Sequence, residues 1–381
     1  MQSNKQSNEK LLSLPELAGV DALVAMSPEN FSYVGGTFIL TIELLRPRHG
    51  YAIIAKDSDP VLFVCSIETS LAREESWIED IRSYTEFKDN PIDALVSVLK
   101  EKGLAAGKIG IDLSYLPYNS YALLVDRLPD AEIVDTTDIV SAMRSVKTSA
   151  EVAKIEWATQ ITHTSVIEAM AASQLGETEK TMANRINTGL LERGAEGSLF
   201  GVFGSGERTR IAHALPTDRV PKESEIIRFD VGGRFGPWKS DLARTYSTGN
   251  PTETQREFYR NLREVQEETI ESVKPGARAE DVFFTCKEGC KNRNMDFFMP
   301  HVGHGFGIEL HEDPMLRPGD KTVLKEGMVF NVEPFGFDKD GIGYHLEDLM
   351  VVTERGNRLL THGLAPTEIP VISKPLDEQF G

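Results

Sequence analysis

The strongest constraint on this chain is one stretch, Phe229 to Thr245, which reads FDVGGRFGPWKSDLART. It sets two acids, Asp230 and Asp241, eleven positions apart. Ile226, Ile227, Phe229 and Val231 precede the turn, and Leu242, Thr245 and Tyr246 follow it. Between the two groups stand Gly232, Gly233, Gly236 and Pro237. Strand formers around a Gly/Pro break predict two extended segments joined by a turn. Folded back on itself, the stretch brings both carboxylates to one place. Two buried like charges side by side are costly unless a proton or a cation lies between them. Taken alone, the pair is better read as two solvated loop acids, so its meaning depends on partners elsewhere.

A second stretch of the same design supplies them. NVEPFGFDKDGIGYHLEDLMVV carries Glu333 and Glu347, fourteen apart, around a turn at Asp338 to Gly341. Val332, Phe335, Leu346 and Leu349 give these acids an apolar setting. Between the two hairpins lies PHVGHGFGIELHEDP, with His301, His304 and His311. Its glycines at 303, 305 and 307 leave little side-chain bulk, so another group can approach the backbone closely. Four carboxylates and an imidazole make a hard, oxygen-rich ligand set, suited to manganese, cobalt, iron or zinc. Two bridging carboxylates can hold a pair of divalent ions, and such a pair lowers the pKa of a bridging water to about 7.

The remaining pattern organises the chain around these hairpins. Residues 1–10 read as a frayed tail. DALVAMSPENFSYVGG reads as an apolar extended segment followed by a Ser-Pro-Glu-Asn turn. Tyr51 to Ala55 and Val61 to Cys65 form a strand pair, Asn90-Pro91 opens a helix that ends at Gly103, and KIGID from Lys108 is a buried strand. This alternation favours an α/β domain. A capping box, Thr148 with Glu151, then starts a long helix, and Thr178 caps a second. Helices also follow over 252–273 and from Ala279 to about Arg293. The second region therefore runs helix pair, hairpin, helix pair, hairpin, which suggests two related halves closing on one site. The domains are placed at 1–145 and 146–381.

Bulk properties exclude several classes. Lys and Arg number 41 against 59 Asp and Glu, a formal charge of −18. That balance argues against nucleic acid or an anionic membrane as partner. No run of eighteen apolar residues predicts a spanning helix, and the polar start, MQSNKQSNEK, lacks a secretory core. Three cysteines, Cys65, Cys286 and Cys290, give no disulfide framework and fit a reducing cytoplasm. Cys286 and Cys290 lie one helical turn apart and read as small residues on a helix rather than as metal ligands. His49, His163 and His362 have no supporting context. Arg46 and Arg48 read as a solvated loop, and Trp238 either lines the pocket or packs the turn.

The chain resembles the pita-bread metallohydrolases: Xaa-Pro aminopeptidases, prolidases, methionine aminopeptidases and the creatinase branch. DALVAMSPENFSYVGG resembles the opening of the creatinase-type N-terminal domain, and IVSAMRSVKTSAEVAKIEWA the linker and first helix of the catalytic domain. The resemblance implies an α/β N-terminal domain followed by an α+β pita-bread catalytic domain. Asp230, Asp241, His304, Glu333 and Glu347 fall on the family's five metal ligands in order. By resemblance, Asp230 chelates one metal, Asp241 and Glu347 bridge two, and His304 and Glu333 serve the other, Glu333 doubling as general base. His213 and His311 match substrate-side histidines that would hydrogen-bond substrate or a developing oxyanion. His301 is read as support for a ligand. A homodimer and a small peptide or peptide-like substrate are implied as well.

Several positions depart from the peptidase pattern. Peptidases usually carry Asp-x-Thr-Arg where this chain has Asp241-Leu242-Ala243-Arg244, and Glu-Pro-Gly where it has Glu333-Pro334-Phe335. Proline-specific members commonly carry Arg-Ile-Glu before the last ligand; here it is His345-Leu346-Glu347. A histidine there is shorter than arginine and charged only part of the time near neutral pH. These changes spare the ligands and alter the pocket. The function implied first is dinuclear metal-dependent hydrolysis of a peptide or peptide-like amide, of the Xaa-Pro dipeptidase or aminopeptidase type. The alternative is a creatinase-branch hydrolase opening a C–N bond in a small metabolite. A third, a catalytically silent binding protein on the same fold, would be marked by lost ligands, and none is lost.

Overall fold

The computed structural model describes residues 9–374, in two compact units divided between Arg144 and Ser145. The expected frayed tail falls mostly outside the described residues; Glu9 and Lys10 already belong to a helical turn.

The first unit is built on β1 (Ala22–Ala25), α1 (Pro28–Gly35), β2 (Tyr51–Ala55), β3 (Val61–Cys65), β4 (Asp80–Tyr84), α2 (Pro91–Glu101), β5 (Lys108–Ile111), α3 (Tyr118–Arg127) and β6 (Glu132–Asp135). The strands form a six-stranded mixed sheet in the order β4-β3-β2-β1-β5-β6. Its central strands are apolar at every position because both faces are covered. Ala22, Val24, Ile53 and Phe63 enter one core, while Leu23, Ala25, Ile54 and Leu62 enter the other. The Ser-Pro-Glu-Asn segment is not a turn but the start of α1. Ser27 Oγ accepts from the Asn30 amide, and Pro28 occupies the first turn, where no intrahelical N–H is needed. The Asp112 carboxylate accepts from the amides of Met26 and Ser27 and from Asn30 Nδ2, fixing the β1–α1 corner. Arg48 is not solvated: it is largely buried between Glu68, at 2.9 Å, and Glu86, at 2.8 Å.

The second unit begins with α4 (Ser149–Ala172) and α5 (Glu179–Glu192), both capped as their sequences indicate. These helices pack on β7 (Gly197–Ser205), β8 (Ile226–Phe235) and β10 (Leu242–Ser247); β9 (Trp238–Lys239) pairs with the end of β8. A second helix pair follows, α6 (Glu253–Ser272) and α7 (Ala279–Asn292). It packs on a five-stranded sheet ordered β12-β11-β13-β16-β17. Those strands are β11 (His304–Gly305), β12 (Glu312–Met315), β13 (Val329–Val332), β16 (Asp348–Val352) and β17 (Asn357–Leu359). A ribbon of β14 (Phe335–Phe337) and β15 (Gly343–His345) completes the unit. Helix pair on sheet thus occurs twice, the architecture of the pita-bread fold. Trp238 packs with Val152 and Ile155, and Cys286 and Cys290 are free and buried in the core of α7. His163 and His362 stack on each other, with ring centres 5.6 Å apart.

Candidate active site

The four acids share a local logic. Within β8, Ile227, Phe229 and Val231 point into the core under the helices, so period-two alternation sends Arg228 and Asp230 to the other face. The other three acids stand where strands break. Asp241 lies between β9 and β10, Glu333 with Pro334 between β13 and β14, and Glu347 between β15 and β16. A residue at a break is released from the ladder, and its side chain can be aimed by tertiary contacts.

The aiming converges. Ligand atoms of Asp230, Asp241 and Glu347 all lie within 4.8 Å of one another. Asp241 and Glu347 are buried; Asp230 keeps 17% of its side chain exposed. Burial drives all three carboxyls above their ordinary range. For Asp241 and Glu347 the neighbouring acids push the same way, and the displacement is large. Oδ1 of Asp230 and Oε2 of Glu347 are buried with no hydrogen-bond partner. Buried polar atoms are normally paired.

Glu333 stands among imidazoles. Its Oε1 is 3.4 Å from His301 Nδ1 and 3.5 Å from His304 Nε2, and its Oε2 is 3.5 Å from His345 Nε2. Burial raises the Glu333 carboxyl, and the surrounding histidines oppose that shift. His304 is buried and held neutral, its pKa driven well below the ordinary value by burial. Its Nδ1 lies 2.9 Å from the Gly305 carbonyl, to which it donates. That contact fixes the tautomer and makes Nε2 the lone-pair nitrogen, which here accepts from the Asn331 amide and would have to exchange that bond for a cation. Asn331 Nδ2 meets both His304 Nε2, at 2.8 Å, and Glu347 Oε1, at 2.5 Å, while Asn331 Oδ1 accepts from the His304 amide.

His345 departs from expectation. Far from being partly charged near neutral pH, it is buried against Asp230 and Glu333, and burial lowers its pKa to about 4. A neutral ring therefore stands where the peptidase pattern has a permanent cation. His213 and His311 are exposed, and both lie within electrostatic range of Glu333. The His311 ring stacks on His304 with centres 3.8 Å apart. His301 lies 5.9 Å from His311, ring centre to ring centre.

Three further residues shape the site without being singled out as candidates in the sequence. Arg228 is buried on the Asp230 face of β8. Asn331 links His304 to Glu347. Arg244 ties the two hairpins together: it donates to the Ala243 and Glu347 carbonyls and pairs with Asp348 at 2.6 Å, both side chains almost fully buried. Gln266 and Thr361 complete the Asp348 carboxylate. Of these, Arg228 and Arg244 have a local sequence mark, each a charge inside an apolar strand within three residues of a candidate ligand.

The donor set fits divalent cations. Clustered buried carboxylates with orphaned oxygens, beside a neutral imidazole with a fixed tautomer, are what such ions require. Comparison with known proteins agrees. The model of metallopeptidase family M24 matches residues 153–354, and that of the creatinase/prolidase N-terminal domain matches residues 9–146. An Xaa-Pro dipeptidase of Pyrococcus furiosus is 29% identical over 359 residues, covering 94% of this chain and 98% of the relative. The solved X-Pro aminopeptidase from Thermotoga maritima superposes with a TM-score of 0.84 at 25% identity, covering 96% of this chain and 99% of that one. The prolidase from Pyrococcus horikoshii gives 0.82 at 27% identity with the same coverage. The chain belongs to metallopeptidase family M24. It is a peptidase-type hydrolase, and the family implies divalent metal ions. No described helix is long and apolar enough to cross a membrane.

Proposed function

We propose that this enzyme is a dinuclear metal-dependent hydrolase of Xaa-Pro peptides, of the dipeptidase or aminopeptidase type. The observation that carries the reading is the convergence of Asp230, Asp241 and Glu347 within 4.8 Å, beside Glu333 and His304. The relatives and solved neighbours named above support the substrate class. In this reading Asp230, Asp241, His304, Glu333 and Glu347 would together hold the ions, which would be manganese, cobalt, zinc or iron. Bound ions of this kind supply Lewis acidity to a scissile carbonyl and acidify water.

The residues do the rest. Glu333, raised by burial and ringed by imidazoles, takes a proton from water and delivers it to the leaving nitrogen. His213 and His311 donate hydrogen bonds to the substrate carbonyl as charge develops on its oxygen. His345, neutral and buried, presents a polar edge to substrate without adding charge. Three free, buried cysteines suit a reducing cytoplasm, and a homodimer is the assembly to test by light scattering.

The test is elemental analysis of the purified protein, paired with turnover of an Xaa-Pro dipeptide panel before and after chelation. About two metals per chain with chelator-sensitive cleavage is the expected result. Bound metal without peptide cleavage would overturn the substrate class, and failure to bind manganese, cobalt or zinc would overturn the ligand assignment.

A further inference from the structure

Arg228 is among the largest fully buried side chains, 2% exposed, yet it has no carboxylate partner within ion-pair distance among the described residues. An unpaired buried charge is expensive, so its surroundings must compensate. Nη2 donates to two backbone carbonyls, Ile211 at 2.9 Å and Ala212 at 2.5 Å. The guanidinium lies over the Phe335 ring, 5.0 Å from its centre, while Nε has no hydrogen-bond partner. Cation–π stacking of this kind favours a planar guanidinium.

The two carbonyls are the last before His213. Ile211, Ala212 and His213 are all exposed, so this stretch has little packing of its own. Its flanks are anchored by one carboxylate. Buried Glu179 accepts from Ser205 N and Oγ, from Arg208 Nε, and from Thr217 N and Oγ1. The middle of the stretch rests on Arg228. Phe335 and His345, two of the positions that depart from the peptidase pattern, belong to the same assembly. They face each other across β14 and β15 with rings 5.6 Å apart, and Phe335 carries the guanidinium.

We propose that Arg228 is the positioning residue for His213: seated on Phe335, it holds the Ile211 and Ala212 carbonyls and thereby fixes the imidazole beside Glu333. Arg228 thus stands on β8, two residues from Asp230, with its guanidinium turned to the Ile211 and Ala212 carbonyls. The proposal rests on the peptidase reading, in which His213 meets the substrate.

Two measurements on the metal-loaded full chain test it. The first compares kcat and KM on an Xaa-Pro dipeptide for wild type, H213A, R228M, R228K and the R228M/H213A pair. R228M is expected to lower kcat/KM at least about tenfold with metal content unchanged, because misplacing a contact by an ångström has effects of that size. R228K, which keeps a charged donor, restores part of the loss. In the H213A background the R228M effect shrinks below about twofold, since the two act as one unit. Effects that multiply in the double variant, or metal content that falls in step with activity, overturn the proposal. The second is hydrogen exchange over residues 205–217. Amides 211–214 are expected to exchange faster in R228M and to slow again in R228K; unchanged exchange refutes the anchor. If wild type cleaves no Xaa-Pro peptide, the functional reading falls, and exchange alone then decides the role of Arg228.

Discussion

Converting Asp241 to asparagine should stabilise the metal-free protein while abolishing its metal binding. Ligand atoms of Asp241, Asp230 and Glu347 lie within 4.8 Å of one another. At an effective dielectric of about 20, each ionised pair at that distance repels by roughly 3.5 kcal/mol. Proton uptake limits the penalty, because keeping an ordinary aspartate protonated at pH 7 costs about 4 kcal/mol. An amide removes the charge and offers two N–H groups to the orphaned oxygens of Asp230 and Glu347. A gain of about 2–4 kcal/mol follows for the chelated protein at pH 7. For a unit of this size that is about 5–15 °C in Tm.

The pH dependence has a defined sign. Carboxyls raised in the folded state bind protons more tightly there than in the unfolded chain. Their contribution is therefore present at low pH and is lost as pH rises from the ordinary carboxylate range through the raised values. Chelated wild type should lose stability over that window, and D241N should lose less. Manganese at about a hundred times its Kd should return roughly 2.7 kcal/mol to wild type and nothing to the variant. Calorimetry with and without chelator reads all of this. A metal-free D241N that melts at or below wild type, or that keeps the manganese shift, would refute the reasoning.

Other perturbations probe the scaffold and the histidines. Asp348→Asn strands the Arg244 guanidinium in the interior and should cost about 3–5 kcal/mol in chemical denaturation, whereas a loss under about 1 kcal/mol would mean that the clamp is dispensable. Gly303→Ala should be destabilising by at least about 1–3 kcal/mol and weaken metal binding. Gly303 has φ +156°, and an added Cβ would sit 2.1 Å from the Asn331 carbonyl, beside His304; a variant with wild-type Tm would contradict that packing. His345→Gln tests the buried ring. Its pKa is depressed to about 4, so the wild-type contribution is intact above about pH 6.5 and is lost as pH falls toward and through 4. The variant should lack that share of acid destabilisation, about 3 kcal/mol, and identical acid profiles would show that His345 titrates normally.

The four acids were legible in the sequence as candidates because they sit beside strand formers and glycine- or proline-marked turns, whereas the choice of His304 among three nearby histidines rested on the family resemblance. What the sequence withheld depends on burial and on distant partners. His345 could be seen to replace an arginine, but its neutrality follows from enclosure by Asp230, Glu333 and Phe335, which no local pattern encodes. Arg228 takes its partners from an irregular segment upstream, and Asn331 takes its partners from two other strands or strand breaks. The Ser27-Pro28 start was ambiguous in kind, since a capping serine and a proline serve turns and helix N-termini alike. Tertiary packing of Phe31 and Val34 into the core selects the helix.

Placing three acids at strand breaks separates two tasks that a continuous hairpin would confound. The ladders below each break, joined by the Arg244 clamp and by the reciprocal bonds of Thr245 Oγ1 with the His345 backbone, set the height of the ligands. Beyond the breaks, the tips at Gly236 and Gly341 have positive φ, and nothing lies within 4 Å of where a Cβ would stand. The tips behave as exchangeable cassettes on an insulated base. Lengthening or replacing one changes the surface beyond the ladders, while the carboxylates keep their spacing. A single scaffold of this kind can be retargeted by loop grafting without rebuilding its chemistry.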